Sequence, residues 1–120
     1  MIEKIKDLDI LIVEDGKDIR DIMSNTFNKI CKSVRTAEDG QDGLNQFNEK
    51  QPDIILTDIR MPIMNGNEMI DKVKDINPDI PIIVISGHGK MISANKRANK
   101  IFEKPLKFDL LLEGIKDLTL

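Results

Sequence analysis

The sequence contains no tryptophan and no tyrosine, and its only aromatic residues are Phe27, Phe47, Phe102 and Phe108. A core in this chain must therefore be built mostly from Ile, Leu, Val and Met. There is one cysteine, Cys31, which excludes an intramolecular disulfide and fits a reducing compartment. Cys31 reads as a small apolar filler rather than a reactive thiol. The opening MIEKIKDLDI holds no apolar stretch of signal-peptide length, and no run approaches a membrane span, so a cytoplasmic protein is expected. Proline and glycine are sparse, at 5 and 7 residues, and no segment is low-complexity or repeated, which excludes a disordered or repeat architecture. A net charge of −3 argues against direct binding of nucleic acid, which needs positive charge to displace counterions.

What remains is 120 residues with 40% hydrophobic and 32% charged side chains, the composition and size of one globular domain spanning 1–120. Charge is uneven along it. Residues 81–120 carry 7 Lys and Arg against 4 Asp and Glu, whereas residues 1–80 carry 11 against 17. Lys90, Lys96, Arg97, Lys100 and Lys107 form the basic cluster, a candidate face for an acidic partner.

Three short, continuously apolar runs stand out: Ile10-Leu11-Ile12-Val13, Ile54-Ile55-Leu56 and Ile82-Ile83-Val84-Ile85. Such runs suit strands buried on both faces of a parallel sheet. Weaker strands are expected at 33–36 and 100–103. Helical spacing appears in Ile19, Ile22, Met23, Phe27 and Ile30, again in Leu44 and Phe47, in Met69, Ile70, Val73 and Ile76, and in Phe108, Leu111, Leu112 and Ile115. A further helix over 91–99 is short and polar, and is expected to be shortened or irregular. Strand and helix alternate, five of each, which predicts an α/β fold: a doubly wound five-stranded parallel sheet flanked by helices.

Ligands of an open parallel sheet lie at the carboxyl ends of its strands. There the chain places Glu14 and Asp15, then Asp58, Ser86 and Lys104. Taken singly, Glu14-Asp15 fits the charged start of a helix, Asp58 a helix cap and Lys104 a solvated side chain. Their convergence from four places in the chain points elsewhere. Clustered carboxylates repel one another unless a cation sits among them. An all-oxygen set without His or Cys favours a hard cation, Mg²⁺ with Mn²⁺ as a second choice. A lysine and a hydroxyl beside such a site suit a phosphoryl group, with a carboxylate as nucleophile.

The residues that carry this chemistry also carry a family resemblance. Leu11-Ile12-Val13-Glu14-Asp15, Asp58-Ile59-Arg60-Met61-Pro62-Ile63-Met64-Asn65-Gly66, Val84-Ile85-Ser86 and Phe102-Glu103-Lys104-Pro105 resemble, in order and along essentially the whole chain, the receiver domain of two-component response regulators. The resemblance implies a flavodoxin-like fold and a phosphorylation-controlled switch that catalyses its own phosphoryl transfer without being a metabolic enzyme. It implies Asp58 as phosphoacceptor from a histidine kinase or phosphotransfer protein. Asp15, Asp58 and the backbone carbonyl of Arg60 would ligate Mg²⁺, and Glu14 would act through a metal-bound water. Lys104 would pair with the phosphoryl group, and Ser86 would turn toward it as the switch. Pro105 would follow a cis peptide bond, and Pro62 and Gly66 would shape the loop into the third helix. An output partner protein would meet the face of the fourth helix, fifth strand and fifth helix.

Two features depart from the family's pattern. Ile101 stands where an aromatic switch residue is usual, and Phe102 should point to the opposite face of the strand. The interval from Ser86 to Lys104 is 18 positions, shorter than usual by about four residues, or one helical turn. His88, between Gly87 and Gly89, reads as a loop residue near the mouth of the site. Met61, Met64 and Met69 read as loop and core packing. Of the rival readings, a P-loop fails because Val84 and Met91 stand where Gly and Ser or Thr are required. Glu14-Asp15 is ill suited to an FMN phosphate, and neither Asp15 nor Asp58 begins an Asp-x-Asp pair of the haloacid dehalogenase type. The remaining alternative is a degenerate receiver that acts as a non-phosphorylated interaction module.

Overall fold

In the computed structural model, residues 5–87 and 94–119 are described. Strands β1 Asp9–Val13, β2 Ser33–Ala37, β3 Ile54–Thr57, β4 Ile82–Ser86 and β5 Lys100–Glu103 form one parallel sheet in the order β2-β1-β3-β4-β5. Helices α1 Lys17–Asn28, α2 Gly40–Glu49, α3 Gly66–Ile76 and α4 Phe108–Thr119 accompany them. This is the doubly wound, flavodoxin-like order, whose switch point lies where β1 pairs with both β2 and β3.

The apolar runs become the central strands because side chains alternate across the sheet and both faces are covered. Leu11, Val13, Ile55, Ile82 and Val84 pack on one face with Phe47 of α2 and with Met69, Ile70 and Val73 of α3. Ile10, Ile12, Ile54, Leu56, Ile83 and Ile85 pack on the other with Met23 and Phe27 of α1 and with Leu111 and Ile115 of α4. Each fully buried Ile or Leu contributes about 1.5–3 kcal/mol by leaving water. A one-residue slip of β1, β3 or β4 would exchange the two sets, so the register is strongly specified. Met64 and Met69 are core residues and Met61 packs against them. Cys31 packs at the edge of the opposite layer, where burial pushes its thiol up to about 11.

The segment expected to be a shortened or irregular helix over 91–99 is irregular where it is described: 94–99 forms bends and turns, and 91–93 lies outside the described residues. Side chains here take up backbone groups that a helix would use, a competition typical of asparagine. The Asn95 amide N–H donates to Oδ1 of Asn67 at 2.8 Å. Its Nδ2 donates to the Asn67 carbonyl at 3.1 Å and to Asp71 Oδ1 at 2.9 Å. Nη1 of Arg97 reaches Asp71 and Asp75 at 3.3 and 3.0 Å. Asn99 Oδ1 accepts from the Ile82 N–H at 2.9 Å and from the buried Lys74 ammonium at 2.8 Å. Together these bonds strap the segment to α3, with Ala94 and Ala98 against the core.

The same contacts narrow the basic face expected from the charge count. Arg97 spends its charge on two acids of α3, and Lys100 lies 3.6 Å from Asp117 of α4. Among the described residues, no helix is long and apolar enough to cross a membrane.

Candidate functional site

The sheet itself assembles the site. Just past β1 the Glu14 N–H donates to the Ala37 carbonyl at 3.0 Å, and just past β3 the Asp58 N–H donates to the Val13 carbonyl at 3.1 Å. Ladder pairing thus continues beyond the strand ends and fixes Glu14 beside Asp58. Glu14, Asp15 and Asp58 each place a carboxylate oxygen within 4.8 Å of the others; Glu14 is buried, Asp58 half-buried and Asp15 exposed.

Lys104 enters from the far end of the sheet. Its backbone N–H donates to the Ser86 carbonyl at 2.7 Å, which pins the lysine just past β5. Its Nζ then lies 2.9 Å from Asp58 Oδ2 and 3.5 Å from Glu14 Oε1. The Lys104–Pro105 peptide bond is cis, as expected. Asp58 Oδ1 accepts from the Ile59 N–H at 2.6 Å, so both oxygens of this carboxylate have partners.

Among the described residues, the Lys104 ammonium that meets this cluster does not balance its three carboxylates. Burial raises the Glu14 pKa; the Gly16 N–H and Lys104 pull it back, and Asp58 and Asp15 push it further up. For Lys104, burial favours the neutral amine, but its bond to Asp58 and the charges of Asp58 and Glu14 outweigh this and hold the pKa above the usual lysine range. The surplus negative charge and the purely oxygen donor set fit a hard divalent cation that keeps part of its water shell, Mg²⁺ or Mn²⁺.

The loop that carries Asp58 into α3 is held tightly. The Gly66 N–H donates to the Ile59 carbonyl at 2.7 Å, and a Cβ at Gly66 would overlap the Asp58 carbonyl oxygen. Asn65 and Glu68 close a capping box at the start of α3, so Asn65, not Asp58, is the cap. Arg60 and Pro62 are exposed on this loop. Ile63, also exposed, is held at φ 69°, a strained conformation for a β-branched residue.

Ser86 is fully buried and its hydroxyl donates to the Gly87 carbonyl at 3.3 Å. Ile101 faces the α2 and α3 side of the sheet and Phe102 the α1 and α4 side, as strand alternation requires. His88 lies outside the described residues.

Three features escaped the sequence reading. Thr57 is buried, and its hydroxyl donates to the Asp58 carbonyl at 2.8 Å; its place as the last polar residue of an apolar strand was the available signal. Arg20 of α1 donates to the Glu14 carbonyl at 2.9 Å; its position shortly after Glu14-Asp15 hinted at this. The third is an open apolar cavity of about 460 Å³ between α1 and the start of α4, lined by Ile19, Ile22, Phe27, Lys104, Pro105 and Phe108 among others. The helical spacing places Ile19 and Ile22 in the core, but they are 43% and 65% exposed at this cavity. Lys104 borders both the cavity and the acidic pocket.

Comparison with known proteins agrees with this geometry. Residues 10–116 match the family model of the response regulator receiver domain. Nitrogen assimilation regulatory protein NtrX of Azorhizobium caulinodans is 34% identical over 110 residues, which cover 87% of this chain and 24% of that protein. Sporulation initiation phosphotransferase F of Bacillus subtilis is 31% identical over 111 residues, covering 89% of this chain and 90% of that protein. A solved receiver domain protein from Clostridium thermocellum matches with a TM-score of 0.86 at 25% identity, covering 92% of this chain and 93% of that one. The chain therefore spans about a quarter of NtrX and about nine-tenths of the Bacillus protein.

Proposed function

This chain belongs to the response regulator receiver domain family, and on that premise we propose that residues 1–120 form a cytoplasmic, phosphorylation-controlled signalling switch with Asp58 as phosphoacceptor. The observation that carries this reading is the triad of Glu14, Asp15 and Asp58 oxygens with Lys104 bonded to Asp58. Asp15, Asp58 and the Arg60 carbonyl would hold Mg²⁺, with Glu14 acting through water, and the bound ion would supply positive charge to phosphoryl oxygens.

The remaining work falls to the chain's own side chains. A carboxylate oxygen of Asp58 attacks phosphorus, the new O–P bond forms, and the P–N bond to the donor's phosphohistidine breaks. The leaving imidazole takes up a proton. Lys104 already sits on Asp58 and follows the negative charge onto a phosphoryl oxygen, where its charge counts most as the charge moves. Ser86 exchanges its bond to the Gly87 carbonyl for one to the phosphoryl group. Because the Lys104 N–H bonds the Ser86 carbonyl, a shift at Ser86 is felt at Lys104 and β5. Ile101 brings no ring to turn inward. The shift is instead passed through β5 and the 94–99 segment strapped to α3.

The phosphodonor is a histidine kinase or phosphotransfer protein that covers the apolar cavity beside Lys104. The name of the Bacillus relative, a phosphotransferase matched along most of its length, supports a role in passing phosphoryl groups between proteins. An output protein meets the face formed by 94–99, β5 and α4, without direct contact to nucleic acid.

The test is chemical. Incubation with a small phosphoramidate should give a hydroxylamine-labile phosphate that maps to the peptide holding Asp58. Label on another residue, or none, contradicts the assignment.

A further inference from the structure

We propose that Arg20 is a positioning residue for the cation pocket, holding the backbone that presents Glu14 and Asp15. This rests on the reading of the pocket given above.

The connection between β1 and α1 is three residues long, 14–16, and Arg20 binds the carbonyl of each. Its Nη1 donates to the Glu14 carbonyl at 2.9 Å and to the Asp15 carbonyl at 3.4 Å. Its backbone N–H donates to the Gly16 carbonyl at 2.9 Å, which closes the first turn of α1. Its Nη2 lies 3.7 Å from Glu38 Oε1, so the same side chain reaches the connection between β2 and α2. The Arg20 side chain is only 13% exposed, although it stands at the water-facing end of the sheet.

A guanidinium suits this task because it is planar and offers several donors in a fixed fork; a lysine ammonium would offer the charge without the fork. Glu14 and Asp15 hang from the bound backbone, and the Gly16 N–H returns a bond to Glu14 Oε2 at 3.0 Å. Without the guanidinium, the main-chain frame of both carboxylates loses its side-chain tie to α1 and keeps the backbone bond from the Arg20 N–H to the Gly16 carbonyl. Loss of a group that orients metal ligands without touching the metal commonly weakens metal affinity about 10–100-fold.

A competing role has the opposite sign. If Arg20 acted only as a nearby positive charge, removing it would make the pocket more attractive to a cation. The test measures Mn²⁺ affinity from the free-ion EPR signal, with Mg²⁺ competition, on the full chain without phosphodonor. The variants are Arg20→Ala, Arg20→Lys and Asp15→Asn, and far-UV circular dichroism in EDTA reports whether each is folded.

The expected result is Mn²⁺ binding weaker by about tenfold in Arg20→Ala, with Arg20→Lys also weakened and folded. Should Arg20→Ala fail to fold, Arg20→Lys carries the same comparison. Affinity within about twofold of wild type in the folded variants would overturn the proposal, as would tighter binding in Arg20→Ala with Arg20→Lys unchanged. Failure of the pocket reading looks different: the wild type would not bind the ion, or Asp15→Asn would bind it as well as the wild type does.

Discussion

Glu14 and Lys104 form an unequal pair: their charged atoms are 3.5 Å apart, yet the Glu14 side chain is 7% exposed and that of Lys104 28%. Lys104 makes its shorter contact, 2.9 Å, with Asp58. Glu14 therefore bears the larger desolvation cost and receives the weaker share of the one ammonium. Its buried place is unfavourable for the protein without a cation and useful for binding one, a tension expected where function and stability compete.

Substitution Glu14→Gln is accordingly expected to stabilise the metal-free protein at neutral pH and to weaken divalent binding. The Glu14 pKa is raised in the folded state, chiefly by burial, so the native state binds more protons above the ordinary value of 4.5. Wild-type stability should fall as pH rises through the folded pKa, a slope that Glu14→Gln lacks. Thermal melts in EDTA should show the variant's advantage above that folded pKa and its disappearance as pH falls below 4.5. An advantage that grew on acidification would contradict this.

Ile22 is 65% exposed on the wall of the cavity beside Lys104, so Ile22→Asp should leave stability within about 0.5 kcal/mol of wild type. Phosphoryl transfer from a protein donor should slow about tenfold or more, because a charge must be desolvated at the contact. Uptake from a small phosphodonor should be unchanged. Equal slowing with both donors would mean the side chain acts on the site itself and not on docking.

Asn95→Ala removes the amide bonds to Asn67 and Asp71 and should cost about 1–2 kcal/mol in urea unfolding. Hydrogen exchange should speed up at Ala98, whose N–H donates to the Asn95 carbonyl, and at Asn99, whose N–H donates to the Ile82 carbonyl. The Asp71 pKa is lowered first by Asn95 and then by Arg97. A depressed carboxylate contributes stability above its ordinary value of 3.8 and loses it as pH falls through the folded pKa, so the strap should loosen only in acid. Unchanged exchange in the variant would show that the Arg97 ion pairs, the Asn99 bonds and the alanine packing hold the segment without the Asn95 side chain.

The sheet and the pocket were legible because the signals are local. Ile10 to Val13, Ile54 to Leu56 and Ile82 to Ile85 are continuous apolar runs that each end in the residues that form the site, and parallel pairing brings those ends together. The 94–99 strap was not legible. Its bonds join Asn95 to Asn67 and Asp71 across 28 and 24 positions, which no local pattern reveals. Periodicity marked the side of α1 that carries Ile19 and Ile22 but could not say whether a neighbour covers them. Phe108 of α4 closes on Phe27, with ring centroids 5.5 Å apart, and the outer positions stay open. Arg20 carries no local pattern beyond its place shortly after Glu14-Asp15; its role rests on its bonds to the Glu14 and Asp15 carbonyls.

The most direct measurement is the intact mass of wild type and Asp58→Asn after incubation with a small phosphodonor, with and without Mg²⁺. The expected result is a Mg²⁺-dependent gain of one phosphoryl group in the wild type and none in the variant. No gain under any condition, or an equal gain in Asp58→Asn, would contradict a switch built on Asp58.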